Sequence, residues 1–556
     1  MPRLLGKYAL LEMLIAEGVR YIFGNPGTTE TPLMDALQDY PQIQYILALQ
    51  ENSAVGMADG FARASGTPSF ASLHIAGGLA GGMSMLYNAY RGGTPLVLTA
   101  GQSDTRMLLS QPVLSGDLVQ MVHQYTKWSA QVHHASELPT AVRRAFKEAK
   151  TPPTGPVFLS LPWNVLDEEA DVEIVPSSQG YYRIRPDQAA VEKAAQLLAQ
   201  SFNPIMVVGD RVAQSGALLE AVAVAELLGS RVYASAFSEV NFPTSHPQYM
   251  GTLNLDSSAS RKLLQEADVL LAVGANLFST FIYNSEPFLG PDTKVIHLDS
   301  STWEMEKVHA THVGIIADPK AGLTDLAQSL GQALSASARQ AAKSRAALLE
   351  EDKKRTREAF RRQVKESWNR KPMSPERMMT ELAQALPKEA IVADESITCS
   401  EALMGAMDFD ESGALFTLRG DALGWGMPGS LGIKLASPQR PVVAIVGDGS
   451  AMYTVQSLWT AARYNIPVTY VICNNGTYKL LKANMDIYLR EMLKDTARQS
   501  KYVGMDFVLP LDLARIAEAV GVSGQRIENP ADLGPALKRA ISLGKPALLD
   551  VVVDGS

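Results

Sequence analysis

The amino-acid sequence predicts an α/β protein built from three doubly wound parallel-sheet domains. Three observations carry that prediction. Short apolar runs alternate with helix-length segments along most of the 556 residues, a length too great for one hydrophobic core. Two of these runs, Val442–Val446 and Val468–Cys473, each end in a polar turn and are separated by one helix-length segment. The first and last blocks share this alternation, and a third block of the same kind lies between them.

Taken in order, the N-terminal stretch MPRLLGKYALLEMLIAEGV is amphipathic, is interrupted by Glu12 and Glu17, and lacks a small-residue cleavage site. It reads as a first structural helix rather than a targeting segment. Strands follow at Tyr21–Phe23, Tyr45–Leu47, Ser69–Leu73 and Pro95–Ala100, and 155–162 supplies the last strand of a domain spanning 1–180. Helices are expected from Glu30, from about Asn52 and past the glycines at 77–78. A central domain, 186–332, places strands at Pro204–Val208, Val232–Ala234, Val269–Val273 and Lys294–Leu298, without a dinucleotide glycine fingerprint. Residues 333–370 alternate in charge and predict a solvated connecting helix. The third domain, 371–556, contains Ala390–Val392 and the two strands with polar ends.

Composition excludes several function classes. A net charge of −8 without a basic stripe gives no reason to expect nucleic acid. No stretch is long and apolar enough to span a bilayer. Two cysteines, Cys399 and Cys473, are too few for a disulfide framework and suit a reducing cytoplasm.

The candidate chemistry lies at strand ends, where open α/β sheets place ligands. Gly447-Asp448-Gly449 and Asn474-Asn475 bring a carboxylate and a neutral amide to one sheet edge. With a nearby main-chain carbonyl, those oxygens suit a hard divalent cation that keeps positions open for phosphate. The flanking glycines admit a diphosphate close to the backbone. In the first domain Glu51 starts a helix just past a strand, and His74 stands where a strand gives way to a glycine-rich helix entry. Thr28, in the turn Gly24–Glu30, ends at the same edge. Asp394–Thr398 follows a strand and offers the hydroxyls of Ser396 and Thr398. The segment Gly420–Gly426 holds Asp421 and Leu423; its overlap with a G-x-G-x-x-G pattern is a false positive, because Pro428 intervenes and no clean βα turn precedes it. His133-His134 is expected to carry no chemistry.

Together these residues resemble the thiamine diphosphate-dependent 2-oxo acid decarboxylase and acetolactate synthase superfamily, and within it the benzoylformate decarboxylases. The resemblance is strongest in FGNPGTTE, LQENSAVGMADGFARASG, the histidine loop, AGQSDTR and GDGSAMYTVQSLWTAARYNIP…NNGTY. It implies pyrimidine-binding, central and diphosphate-binding domains in that order. It implies Mg²⁺ held by Asp448, Asn475 and the Thr477 carbonyl, and a cofactor contacted by Leu423, Ser396, Thr398, Asp421, Gly447, Gly449 and Ser450. Glu51 would activate the cofactor beside N1′ of its aminopyrimidine, Leu423 would bend it, and His74 and Thr28 would sit over the thiazolium C2. The resemblance further implies a small 2-oxo acid or aldehyde as substrate, with active sites shared between subunits, Glu51 of one chain facing Asp448 of another, in a homotetramer built from two dimers. FAD is not expected. Leu114 stands where acetolactate synthases carry glutamine, which favours decarboxylation to an aldehyde. Phe281 stands where benzoylformate decarboxylases carry a second histidine, with Tyr283 as the candidate replacement. Thr28 replaces a serine, Leu480 a small residue and Asn484 an aromatic one. A slowed protonation step without the second histidine would favour carboligation to 2-hydroxyketones. The alternatives are an acetolactate synthase-like or aldehyde lyase activity, or a catalytically silent cofactor-binding assembly protein. Segment Lys479–Gly504 is long and suits a lid or an entrance wall.

Overall fold

The computed structural model describes residues 2–180, 183–278, 280, 283, 285–495 and 497–555. Three six-stranded sheets dominate it. In the first, strands Tyr21–Gly24, Gln44–Leu47, Ser69–Leu73, Leu96–Gln102, Ser129–Gln131 and Val157–Pro162 lie in the order 2-1-3-4-6-5 and pair in parallel. The third sheet repeats that order with Ile391–Glu395, Leu415–Thr417, Val442–Gly447, Val468–Asn474, Ser523–Ile527 and Ala547–Val552. The central sheet runs 3-2-1-4-5-6 through Pro204–Val208, Arg231–Ala234, Tyr249–Thr252, Val269–Val273, Lys294–Asp299 and Val313–Ile316. The interior strands are buried on both faces, as helix-covered parallel sheets require.

The strands of these sheets that sequence reasoning did not anticipate are the edge strands Ser129–Gln131, Tyr249–Thr252, Val313–Ile316, Leu415–Thr417 and Ser523–Ile527, and the interior strand Ala547–Val552, whose apolar run is interrupted by Asp550. The short edge segments carry too few residues for alternation to register. The N-terminus also begins as a strand, Arg3–Leu5, paired antiparallel with Glu169–Asp171, before helix Gly6–Ala16.

The chain divides into two compact units. One comprises residues 1–179, 366–406 and 418–556; the other comprises 180–365 and 407–417. The charged stretch forms one helix, Ala336–Ser367, and it is more than a solvated connector. Ala342 and Leu349 are buried, and Lys353 Nζ donates to the carbonyls of Thr244, His246 and Tyr249 in the same unit.

Within the first unit, helices Glu51–Ser65 and Gly426–Ala436 cross at glycines. A Cβ on Gly60 would overlap the Gly429 carbonyl, and one on Gly432 the Met57 carbonyl. Of the G-x-G-x-x-G glycines, Gly426 and Gly429 thus sit on a packed helix and Gly424 in the loop before it, and no strand runs directly into that helix. Asp59, fully buried, accepts from Trp425 Nε1 at 2.7 Å and from Thr94 Oγ1 at 2.6 Å across this junction.

Candidate active site

Strands Val442–Gly447 and Val468–Asn474 pair with Gly447 opposite Cys473, so Asp448 and Asn475 leave the sheet at the same edge. Asp448 is 3% exposed, and its carboxylate accepts from Gly449 N and Gly476 N, each at 2.8 Å. Burial pushes this carboxyl up, while those two N–H groups pull it back toward the charged form. The two asparagines divide their work. Asn474 Nδ2 donates to Leu511 O and Asp550 Oδ1 inside the sheet, whereas Asn475 Oδ1 accepts from Thr477 N at 3.1 Å at the edge.

Gly447 has an ordinary φ of −66°, and a Cβ there would meet nothing closer than 3.8 Å. The protein's own atoms therefore do not demand glycine at 447; a Cβ would fill a cradle beside Asp448. Gly449 lies against the Tyr478 ring, and Ser450 is buried. Among the described residues no group of three His, Cys, Asp or Glu converges on one point. A cation at this edge would rest on one carboxylate with amide and main-chain oxygens, a set that fits Mg²⁺ sharing a diphosphate.

Strand Ile391–Glu395 pairs with the Asp448 strand and delivers the neighbouring loop. Ser396 Oγ and Ser400 Oγ both donate to Asp394 at 2.6 Å, so the Ser396 hydroxyl hydrogen is committed there. Ile397 takes a left-handed φ of 54°, and Thr398 is half-buried beside it. Leu423 is half-buried in a loop in which Asp421 also has positive φ, and burial pushes the Asp421 carboxyl up to about 6.

The first sheet gathers a second set of groups. Glu51 opens its helix, which is capped by Gln50 accepting from Ser53 N, and its Oε1 accepts from Asn25 Nδ2 at 3.2 Å. A Cβ on Gly81 would come within 2.8 Å of Glu51 Oε2, and one on Gly78 within 3.5 Å of Oε1 and 3.3 Å of His74 Cβ. The glycine-rich helix Ile75–Gly81 thus brings Glu51 and His74 to one spot. Leu114, with φ of 65°, reaches over Gly77 in the same place.

Sequence reasoning missed the group that orients His74. Glu30 is 3% exposed; it accepts from Gly27 N, Gly101 N and Thr29 Oγ1 and lies 2.9 Å from His74 Nδ1. A carboxylate only accepts, so this contact assigns the imidazole proton to Nδ1 and leaves Nε2 as the uncommitted nitrogen. Burial raises the Glu30 carboxyl, against the opposing pull of Gly27, Thr29 and His74. Gly27 is required because the imidazole packs directly on it. Thr29, not Thr28, touches the ring, at 3.0 Å. Thr28 is exposed. The only signal was an acid at a helix start, and a helix cap explains that equally well.

Of the remaining candidates, Leu480 and Asn484 are exposed and lie one turn apart on helix Lys479–Ile487. That helix begins an excursion whose two ends are clasped by Tyr478 N donating to Met505 O and Phe507 N donating to Gly476 O. Phe281 lies outside the described residues, and Tyr283 is 85% exposed. His133 and His134 are exposed after an edge strand.

Comparison with known proteins gives consistent results. Residues 6–126, 191–326 and 397–551 match, respectively, the N-terminal TPP binding domain, the central domain and the C-terminal TPP binding domain of the thiamine pyrophosphate enzymes. The chain is 32% identical over 551 residues to a benzoylformate decarboxylase of Pseudomonas aeruginosa, covering 98% of each. It is 29% identical to a probable acetolactate synthase large subunit of Methanocaldococcus jannaschii, covering 99% of this chain and 92% of that one. Among solved structures, a thiamine diphosphate-dependent 4-hydroxybenzoylformate decarboxylase of Rhodococcus jostii superposes with a TM-score of 0.84 at 26% identity, covering 99% of both chains.

Proposed function

Because the chain belongs to the family of thiamine pyrophosphate enzymes, we propose that it decarboxylates a 2-oxo acid non-oxidatively to an aldehyde, with Mg²⁺ anchoring the diphosphate. The observation that carries this proposal is the convergence of Glu51 and His74 at Gly78, with His74 oriented by Glu30. When bound, thiamine diphosphate supplies a carbon nucleophile for the substrate carbonyl and an electron sink for the pair released with carbon dioxide.

The chain's own residues do the rest. Asp448, Asn475 and the Thr477 carbonyl hold the cation, and the cradle at Gly447 with the Ser396–Thr398 loop receives the diphosphate. Glu51 holds a proton beside the aminopyrimidine nitrogen N1′. His74 keeps Nδ1 protonated toward Glu30 and presents Nε2 to the substrate's carboxylate or carbonyl oxygen. Thr28, exposed at the same turn, offers a hydroxyl to the substrate. Leu114 gives the pocket an apolar wall beside Gly77, and Leu480 and Asn484 line it together with Asp448, which a neighbouring subunit brings to face Glu51.

We extend the proposal to a homotetramer of two dimers with shared sites. Its support is the apolar surface that a partner would cover: Leu109 is 99% exposed, and Val113, Val508 and Leu509 are nearly as open. Carboligation in the manner of acetolactate synthases is the second reading, favoured by the similarity to the Methanocaldococcus protein and opposed by apolar Leu114.

The test is carbon dioxide release from a panel of aromatic, branched and short 2-oxo acids in the presence of thiamine diphosphate and Mg²⁺. Release from one class, abolished by Glu51→Gln, is expected. Cofactor binding without release from any acid would defeat the decarboxylase reading.

A further inference from the structure

One buried acid has no part in the site as described so far. Glu395 ends strand Ile391–Glu395, immediately before Ser396, and is 1% exposed. Its Oε1 accepts from Gly424 N at 2.6 Å, and its Oε2 accepts from the Gly426 N–H. A carboxylate held out of water is costly unless its oxygens are occupied. Here both oxygens are committed to the main chain of one short loop.

That loop carries Leu423, and its other end is held from a different element. Asn88, on helix Met83–Gly92, accepts from Gly420 N at 3.1 Å and Ala422 N at 3.2 Å, and donates to Ala422 O at 2.8 Å. Thr454 Oγ1 donates to Gly424 O at 2.6 Å. The backbone on either side of Leu423 is thus tied to buried side chains, with the half-buried Leu423 between those ties.

We propose that Glu395 is a positioning residue for the ring end of the cofactor, acting through the main chain of Gly424 and Gly426 to set Leu423. The inference rests on the thiamine diphosphate reading above. On this account the diphosphate end is held independently, by the loops at 447–450 and 475–477.

Two probes separate the ends: thiamine diphosphate, and inorganic pyrophosphate, which shares only the diphosphate. Equilibrium binding of each, with Mg²⁺, is measured on the full-length wild-type protein and on Glu395→Gln and Asn88→Ala. In Glu395→Gln an NH₂ faces a main-chain N–H, so one of the two bonds to the loop is lost. Thiamine diphosphate should bind about 10- to 100-fold more weakly, with pyrophosphate unchanged within about twofold. Asn88→Ala should show the same split from the other side of the loop. Equal weakening of both probes, unchanged thiamine diphosphate affinity, or failure of both variants to fold would each overturn the proposal. A wild-type protein that bound pyrophosphate but not thiamine diphosphate would defeat the cofactor reading itself, and this inference with it.

Discussion

Replacing Glu30 with glutamine tests whether His74 depends on the buried carboxylate beneath it. Glu30 receives four donors: Gly27 N, Gly101 N, Thr29 Oγ1 and the His74 Nδ1 proton, each at 2.9 Å. Glutamine keeps the shape but turns one oxygen into an NH₂. Placed at Oε1, that NH₂ opposes Gly101 and Thr29; placed at Oε2, it opposes Gly27 and His74. A hydrogen bond to a charged group contributes about 1.5–3 kcal/mol. Glu30 is 3% exposed, so water does not replace what is lost. If one such bond's worth is spent on misaligning His74, kcat falls about 10- to 100-fold. Steady-state carbon dioxide release gives kcat and KM, and a parallel titration gives cofactor affinity. The loss should fall on kcat with cofactor affinity unchanged. A kcat equal to that of the wild type, or a loss that tracks cofactor affinity, would refute the assignment of Glu30 as the histidine's support.

Other perturbations probe the assembly and the core. Mixed dimers of two inactive variants, Glu51→Gln and Asp448→Ala, should regain roughly a quarter of wild-type activity if sites are shared between subunits, since half the dimers are mixed and one of their two sites is intact; no recovery would place each site within one chain. Gly432→Ala puts a Cβ into the Met57 carbonyl and should destabilise the protein by about 1–3 kcal/mol, read as a lower denaturant midpoint than wild type; an unchanged midpoint would show that the helix junction is loosely packed. Burial pushes Glu395 from 4.5 up to about 7. The folded protein therefore holds this proton more tightly than the unfolded chain. The resulting stabilisation is complete below pH about 4.5 and lost as pH rises through about 7, a change on the order of 3 kcal/mol. Wild type should lose that much relative to Glu395→Gln across this window, and parallel stability curves would contradict it.

What was legible in the sequence follows from the range of the forces involved. Asp448 and Asn475 announced themselves because an apolar strand followed by a polar turn is a local pattern, and two parallel strands deliver their ends to one edge whatever lies elsewhere. Glu51 and His74 were legible for the same reason, standing next to strands Gln44–Leu47 and Ser69–Leu73. Glu30 was not: its partner His74 lies 44 residues away, and a helix cap accounts for an acid at that position. Asn88 and Glu395 were equally hidden, because their partners lie in a loop whose path depends on how the first and third sheets pack. Most interior strands were visible as apolar runs; Ala547–Val552, interrupted by Asp550, and the short edge strands were not.

The most direct test of the account is product stoichiometry with the best 2-oxo acid of the panel. Carbon dioxide and the corresponding aldehyde are measured together, with thiamine diphosphate and Mg²⁺ present, in wild type and in Glu51→Gln. The account predicts equimolar carbon dioxide and aldehyde from wild type, with both lost in the variant. Carbon dioxide accompanied by a hydroxyketone in place of the aldehyde, or release that survives Glu51→Gln, would contradict it.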